Sequence, residues 1–264
     1  MLKHDEIFQS PVKQLLREKK KTLGAWSQFG SSAVVEAMAS TGLDWIVIDM
    51  EHGPSDLNGV IAQMQAMKGY GCYPIVRAPG NDIIWLKKVL DAGAYGVHIP
   101  YLFGKEDFEK AVRACKYPPK GCRGASSTGR ASGYSINPLN YLKYADEEIL
   151  VLGAIETKTA AENIEEILTV EGLDGVFIGP MDLATDMGYF ASPTAPEVQE
   201  MVKKVEAATL ASGKILAGTC NGFDAAKKKF DAGYTLVYGI SDVFEVGSQT
   251  MALVKSFKEE YPER

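Results

Sequence analysis

The chain has 264 residues, 46% of them hydrophobic and 23% charged, with a formal net charge of −6 at pH 7. The acidic balance argues against a nucleic-acid partner. No run of about 18 apolar residues could span a bilayer, and Met1–Gln9 lacks the apolar core of a signal peptide, so we expect a cytoplasmic protein without a membrane partner. The four cysteines form no C-x-x-C pair, which is typical of isolated thiols in a reducing compartment.

Near the start of the chain, Ser10-Pro11 forms a good N-cap and first helical position. The spacing predicts a helix from about Pro11 to Lys20, and we expect this helix to cover the bottom of the fold before the first strand.

Eight short, hydrophobic, β-rich segments follow. They are Leu23–Gln28, Asp44–Met50, Tyr73–Ala78, Gly96–Tyr101, Ile149–Glu156, Asp174–Gly179, Lys214–Thr219 and Thr235–Ile240. Helices are predicted between them and after the last one, at Ser32–Ser40, Asp56–Lys68, Ile83–Ala92, Lys105–Lys116, Thr159–Leu168, Pro196–Ser212, Asp224–Ala232 and Val243–Glu260. Alternation of this kind implies a parallel sheet, and eight such units in a chain of this length predict one (β/α)8 TIM barrel spanning residues 1–264.

One connection, Tyr117–Pro138, is much longer than the others. It contains Arg123 and Arg130, whose guanidinium groups suit a substrate carboxylate. We therefore expect a role near the active site or in a subunit contact; a mobile excursion is the alternative.

The second strand ends in Asp49-Met50-Glu51-His52. At a barrel mouth, the Asp49 carboxylate would lie close enough to His52 to orient its imidazole and make it more basic, so that His52 could act as a general base. The alternative is that His52 is a surface loop residue and Asp49 only caps a turn.

Glu156 and Asp182 end strands five and six, which are neighbours in a barrel. Two carboxylates completed by water and substrate predict a Mg²⁺ or Mn²⁺ site. Helix capping is the alternative, because Asp182 precedes a possible short helix at Leu183–Met187.

Arg77 ends an otherwise apolar third strand. Its guanidinium could neutralise a carboxylate or enolate oxygen, or form a structural ion pair with Asp49 or Glu156. Backbone N–H groups in the turn Gly179-Pro180-Met181 could also bind a carboxylate.

Two absences narrow the chemistry. No lysine lies inside a predicted strand beyond the entry position Lys214, which argues against a Schiff-base aldolase. The turns after strands seven and eight fit a phosphate site poorly, so we do not expect a phosphorylated substrate.

Several passages from about Thr22 onward resemble one family closely. They are Leu43-Asp44-Trp45, Asp49-Met50-Glu51-His52-Gly53-Pro54, Val76-Arg77, Leu90-Asp91-Ala92-Gly93, Tyr117-Pro118-Pro119-Lys120-Gly121, Arg123-Gly124, Ile155-Glu156-Thr157, Glu171 to Pro180, and Asp182-Leu183. They resemble the HpcH/HpaI type of metal-dependent pyruvate aldolases, which cleave 4-hydroxy-2-oxo acids, including 4-hydroxy-2-oxoheptanedioate and 2-keto-3-deoxy sugar acids, to pyruvate and an aldehyde.

The resemblance implies that Glu156 and Asp182 hold the divalent metal, Mg²⁺, Mn²⁺ or Co²⁺. It implies that His52, oriented by Asp49, is the base and that Arg77 stabilises the pyruvate enolate. It also implies a hexamer, a trimer of dimers in which the C-terminal helix is exchanged and Asp91 and the long loop lie near neighbouring mouths.

Three positions depart from the family pattern: Met50, Ala154 and Met181. Ala154 and Met181 make the pocket more apolar, which leaves the acceptor aldehyde open. An oxo-acid decarboxylase, a hydroxyacyl-CoA lyase and a catalytically silent assembly barrel are the alternative functions.

Overall fold

The computed structural model describes residues 6–263, so the first five residues of the Met1–Gln9 segment lie outside the described range. Eight parallel strands form a closed barrel in sequence order. They are β1 Thr22–Ser27, β2 Trp45–Asp49, β3 Tyr73–Arg77, β4 Gly96–Ile99, β5 Leu150–Ile155, β6 Gly175–Ile178, β7 Ile215–Thr219 and β8 Leu236–Ser241. The predicted (β/α)8 barrel is confirmed.

The helices follow the predicted alternation. They are α1 Pro11–Arg17, α2 Ser32–Ala39, α3 Leu57–Ala66, α4 Ile83–Asp91, α5 Lys105–Cys115, α6 Pro138–Leu142, α7 Ala145–Glu148, α8 Lys158–Glu162, α9 Ile164–Ile167, α10 Pro180–Asp186, α11 Pro196–Ser212, α12 Phe223–Asp231 and α13 Asp242–Glu260. The predicted helix Thr159–Leu168 is in fact the pair α8 and α9. It breaks at Asn163, whose backbone leaves the helical region and whose side chain donates to the Thr159 carbonyl.

Helix α1 closes the bottom of the barrel. Ser10 caps it by accepting the Lys13 N–H, and Val12 and Leu16 join the apolar cluster that fills the barrel interior. The Lys13 ammonium donates to the Ile149 carbonyl and pairs with Asp174 at 2.8 Å. This contact ties α1 to the entries of β5 and β6, as its predicted covering role requires.

The interior of the barrel is filled with large rings. Trp26, Trp45, Phe177 and Tyr238 are buried there and lie against one another, with Tyr238 in contact with the other three. Each such ring buries a large apolar area, roughly 150–250 Å². A second, aliphatic layer packs between the strands and the surrounding helices.

Helix α13 contacts β1 and β8, but its apolar side chains are largely exposed. Among its residues only Asp242 is buried, whereas many of its large apolar side chains are exposed: Phe244, Val246, Met251, Leu253, Val254 and Phe257. Within the described residues no helix is long and apolar enough to cross a membrane.

Candidate active site

The candidate site lies at the carboxyl ends of the strands, where β2 and β3 place Asp49 and Arg77 side by side in register. The pair is bidentate, with Arg77 Nε 2.9 Å from Asp49 Oδ1 and Nη2 2.6 Å from Oδ2. Both side chains are buried. A fork of this geometry fixes the plane of the guanidinium.

The two partners stabilise each other's charge. Burial by itself would raise the pKa of Asp49, but the hydrogen bonds and charge of Arg77 outweigh it and hold that pKa below its ordinary value. Burial works against the charge of Arg77 too, and Asp49 reverses the effect, so the pKa of Arg77 is raised. Both groups are therefore charged at neutral pH.

Asp49 also organises the loop that carries His52. Its Oδ1 accepts the backbone N–H groups of Glu51 and His52, and its Oδ2 accepts from Gln28 Nε2. The imidazole itself is 60% exposed and lies 3.8 Å from Glu51 Oε2. The structure thus differs from the expectation that Asp49 orients the imidazole directly: Asp49 holds the main chain, and the nearest carboxylate is that of Glu51.

Glu156 follows β5 and is only 3% exposed. Its Oε1 accepts the backbone N–H of Tyr101 at 2.5 Å, and Tyr101 has a left-handed φ of 57°. Non-glycine residues rarely adopt that conformation, and strained backbone of this kind is enriched at functional sites. On the other side, a Cβ at Gly179 would come within 2.8 Å of Glu156 Oε2, so only glycine allows the carboxylate its position.

The electrostatics at Glu156 are unusual. Burial, reinforced by the charges of Glu51 and Asp182, raises its pKa to about 7. The pKa of Glu51 is also raised, chiefly by burial. Asp182 lies in the first turn of α10, where its side chain is exposed. Carboxylates that raise one another's pKa are stabilised by a cation placed between them.

The donor chemistry fits a hard divalent cation. Glu156 and Asp182 offer only carboxylate oxygens, which Mg²⁺ and Mn²⁺ prefer. The buried Oε2 of Glu51 has no hydrogen-bond partner, although it lies 2.9 Å from Arg77 Nη1. Across residues 6–263, no three His, Cys, Asp or Glu side chains converge closely enough to form a metal site. An ion here would therefore need water or substrate oxygens as further ligands.

The Arg77 guanidinium stacks on an aromatic side chain. Its guanidinium carbon lies 4.4 Å from the Trp26 ring, and Trp26 Nε1 donates to Thr219 Oγ1 at 3.1 Å. Below them His98 is buried, which lowers the pKa of its imidazole. Trp26 lies inside β1 and His98 inside β4, and neither belongs to a motif at a strand end, so the sequence analysis did not point to them.

Sequence reasoning also assigned no role to Gln28, Glu51 or Tyr101. Gln28 lies at the end of the first predicted strand and Tyr101 at the end of the fourth. The rule that used strand ends to find Asp49 and Glu156 therefore contained the signal for both.

Asp91, Arg123 and Arg130 lie at the other end of this barrel. Asp91 ends α4, and Arg130 lines a cavity formed by the entry residues of β3 and β4. Arg123 is fully buried and bonds Asp91 at 2.6 Å, while Arg130 donates to the Ala92 carbonyl. Neither arginine reaches the mouth of its own chain. The expected role of this loop near an active site or in a subunit contact therefore stays a prediction.

Comparison with known proteins agrees with this geometry. The model of the HpcH/HpaI aldolase/citrate lyase family matches residues 22–245. A 5-keto-4-deoxy-D-glucarate aldolase of Salmonella arizonae is 34% identical over 94% of this chain and 98% of its own. A hydroxypyruvate/pyruvate aldolase of Cupriavidus necator is 37% identical over 95% of this chain and 93% of its own.

Solved structures agree as well. A family protein from Burkholderia cenocepacia superposes with a TM-score of 0.88 at 30% identity and covers 94% of this chain and 98% of its own. The chain therefore belongs to the HpcH/HpaI aldolase/citrate lyase family. It is a carbon–carbon lyase of the pyruvate aldolase type.

Proposed function

We propose that the protein cleaves a 4-hydroxy-2-oxo acid reversibly to pyruvate and an aldehyde, using a divalent metal. The observation that carries this proposal is the juxtaposition of the fixed Arg77–Asp49 pair with the buried Glu156 carboxylate, whose pKa is raised to about 7. A site that stabilises an enolate needs positive charge placed in advance around the oxygen on which negative charge develops.

Glu156 and Asp182 would hold the metal, with Mg²⁺ or Mn²⁺ preferred and Co²⁺ also suited to the oxygen donors. When bound, the cation supplies Lewis-acid stabilisation of the enolate charge. The turn that begins at Gly179 and continues through Met181 to Asp182 borders the same carboxylates and would contact the oxo acid.

His52 is the proposed base. Its imidazole is free enough to meet the 4-hydroxyl group and takes that proton on a ring nitrogen as the C3–C4 bond breaks. Arg77 stabilises the enolate oxygen, while Asp49 keeps the guanidinium in plane and holds the loop that carries His52. The proton then returns to the enolate carbon to give pyruvate.

The test is pyruvate release from a panel of 4-hydroxy-2-oxo acids, followed with lactate dehydrogenase, with Mn²⁺ or Mg²⁺ and again after chelation. Metal-dependent pyruvate formation would support the proposal. No turnover of any panel member by folded, metal-loaded protein would contradict it.

The exposed apolar face of α13 supports a homo-oligomer, and by resemblance a hexamer built as a trimer of dimers. In that assembly a second copy would cover Leu253 and its neighbours, and Asp91, Arg123 and Arg130 would lie near another subunit's mouth. Light scattering after size exclusion tests this: Leu253→Glu should reduce the particle mass, and a monomeric parent protein would refute it. We also propose a cytoplasmic location.

A further inference from the structure

The Arg77–Asp49 pair is also supported from the first strand. Gln28 directly follows β1, and its Nε2 donates to Asp49 Oδ2 at 3.0 Å, the same oxygen that accepts from Arg77 Nη2. Asp49 Oδ1 accepts from Arg77 Nε and from two backbone N–H groups of the loop after β2. Within residues 6–263, Gln28 is therefore the donor that completes the hydrogen bonding of Oδ2.

The orientation of the Gln28 amide follows from its two neighbours. A carboxylate accepts hydrogen bonds and cannot donate them, so the amide nitrogen must face Asp49 and the amide oxygen must face away. On that other side, the hydroxyl of Ser241, the last residue of β8, donates to Gln28 Oε1 at 3.0 Å. Both ends of the amide are thus engaged inside the protein.

The main chain of Gln28 is fixed as well. Asp242, the first residue of α13, accepts the backbone N–H groups of Gln28 at 2.9 Å and Phe29 at 3.1 Å. Its side chain is buried, and β1 pairs with β8 so that Trp26 lies opposite Ser241. The junction of β8 and α13 therefore holds Gln28 both by its main chain and by its side chain.

This support bears on the charge that faces the substrate. Preorganised charge stabilises a developing enolate because it does not have to move during the reaction. Asp49 fixes the plane of the Arg77 guanidinium, and Gln28 opposes rotation of the Asp49 carboxylate from the β1 side. Burial raises the pKa of Asp49, Arg77 lowers it most, and the Gln28 amide lowers it further, as expected for a donor to the charged form.

We propose that Gln28 is a positioning residue of the aldolase reaction: held by Ser241, it fixes Asp49 and, through Asp49, the guanidinium of Arg77. This inference rests on the proposed function and adds the residues that keep its enolate-stabilising charge in place. Gln28 acts through Asp49 and not on the substrate, because both ends of its amide are engaged by the protein.

The first test is Gln28→Met, which keeps the length of the side chain and removes both hydrogen bonds. With saturating Mn²⁺, kcat for pyruvate release should fall roughly tenfold or more and KM should change less than about threefold, because Arg77 acts on charge that develops in the transition state. Mn²⁺ binding, measured by calorimetry, should stay that of the parent, since the partners of Gln28 are not the proposed metal ligands. A kcat within about threefold of the parent would overturn the inference.

A matched control and a double variant follow. Gln199 is half-buried like Gln28, and its amide donates to the Pro193 carbonyl at the start of α11, so Gln199→Met should keep the parent's kcat. Ser241→Ala should lower kcat, and its combination with Gln28→Met should cause no further loss, because Ser241 acts through Gln28. Losses that multiply in the double variant would contradict this chain of contacts.

Gln28→Glu supplies a pH readout that lost packing alone would not produce. When protonated, the introduced carboxyl group can donate to Asp49 and accept from Ser241, as the amide does. When ionised, it meets the negative charges of Asp49 and Asp242 beside Arg77. The ratio of its kcat to that of the parent should therefore fall about fivefold or more from pH 6 to pH 9, while the ratio for Gln28→Met stays constant. A ratio for Gln28→Glu that does not change with pH would refute the role of the amide.

Exchange of the pyruvate methyl protons in D2O separates failure of this inference from failure of the proposed function. Exchange needs enolate formation but no aldehyde, so Gln28→Met should slow it by about the same factor as pyruvate release. Equal exchange by the parent and by Gln28→Met would refute only the inference. Folded, metal-loaded parent protein without exchange would refute the proposed function.

Discussion

Glu156→Gln should abolish metal-dependent turnover and yet make the metal-free protein more stable. The buried carboxylate has a pKa raised from 4.5 to about 7, chiefly by burial. The ionised form of Glu156 is therefore disfavoured in the folded state. Its ionisation lowers the unfolding free energy, and this loss is absent below pH 4.5 and complete above about pH 7. The unfolding free energy should fall as pH rises through that window.

The magnitude follows from the same shift. A difference of about 2.5 pKa units corresponds to roughly 3 kcal/mol at pH 8, and glutamine removes the charge with little change of shape. The amide oxygen of the substituted side chain would still accept the Tyr101 N–H. At about 2–4 °C per kcal/mol for a protein of this size, the melting temperature should rise by roughly 6–12 °C.

The assay is thermal unfolding of metal-free parent and variant at pH 8 and at pH 5, at one protein concentration. The variant should be more stable at pH 8, and the difference should largely disappear at pH 5. Added Mn²⁺ should stabilise the parent and not the variant. Equal or lower stability of the variant at pH 8 would refute the reasoning about Glu156.

Three other substitutions test separate parts of the molecule. His52→Ala should keep Mn²⁺ binding, measured by calorimetry, and slow aldol cleavage more than oxaloacetate decarboxylation, which removes no hydroxyl proton; equal slowing would contradict the base assignment. Asp49→Asn breaks a buried ion pair and should lower the unfolding free energy, measured with denaturant, by about 3 kcal/mol. It should also lower kcat for pyruvate release roughly 100-fold, because the guanidinium of Arg77 loses its fixed position. Retention of the parent's kcat would contradict the positioning role of Asp49. Lys13→Met should lower stability by about 1–3 kcal/mol but leave kcat/KM unchanged, because Lys13 lies at the bottom of the barrel; a changed kcat/KM would contradict that separation.

Much of the site was accessible from sequence because strand ends in a parallel barrel converge. Asp49, Arg77 and Glu156 each end or directly follow a short apolar segment, and that local pattern locates the mouth. The same rule could not say which side chains pair there. The register between β2 and β3 places Asp49 beside Arg77, so that the two form an ion pair. The conformation of the following loop brings the backbone N–H of His52 to the Asp49 carboxylate.

The long loop shows the limit most clearly. Arg123 and Arg130 have the residue type that a carboxylate site needs, but they follow α5, which ends at the far end of the barrel, and there they contact Asp91 and the Ala92 carbonyl at the end of α4. The predicted order of elements already contained the end of the barrel at which this loop lies, because a connection from a helix to the next strand lies opposite the loops that carry the chemistry. The order could not supply the ion pair of Arg123 with Asp91, since these residues are far apart in sequence.

The sequence by itself determined the alternation of strands and helices, the number of strands and the type of chemistry at their ends, since periodicity and turn residues are local properties. Only the tertiary structure decided the raised pKa of Glu156 and the aromatic support beneath Arg77. Burial, electrostatic fields and packing are sums over residues that folding brings together, and the order of residues along the chain does not contain those distances.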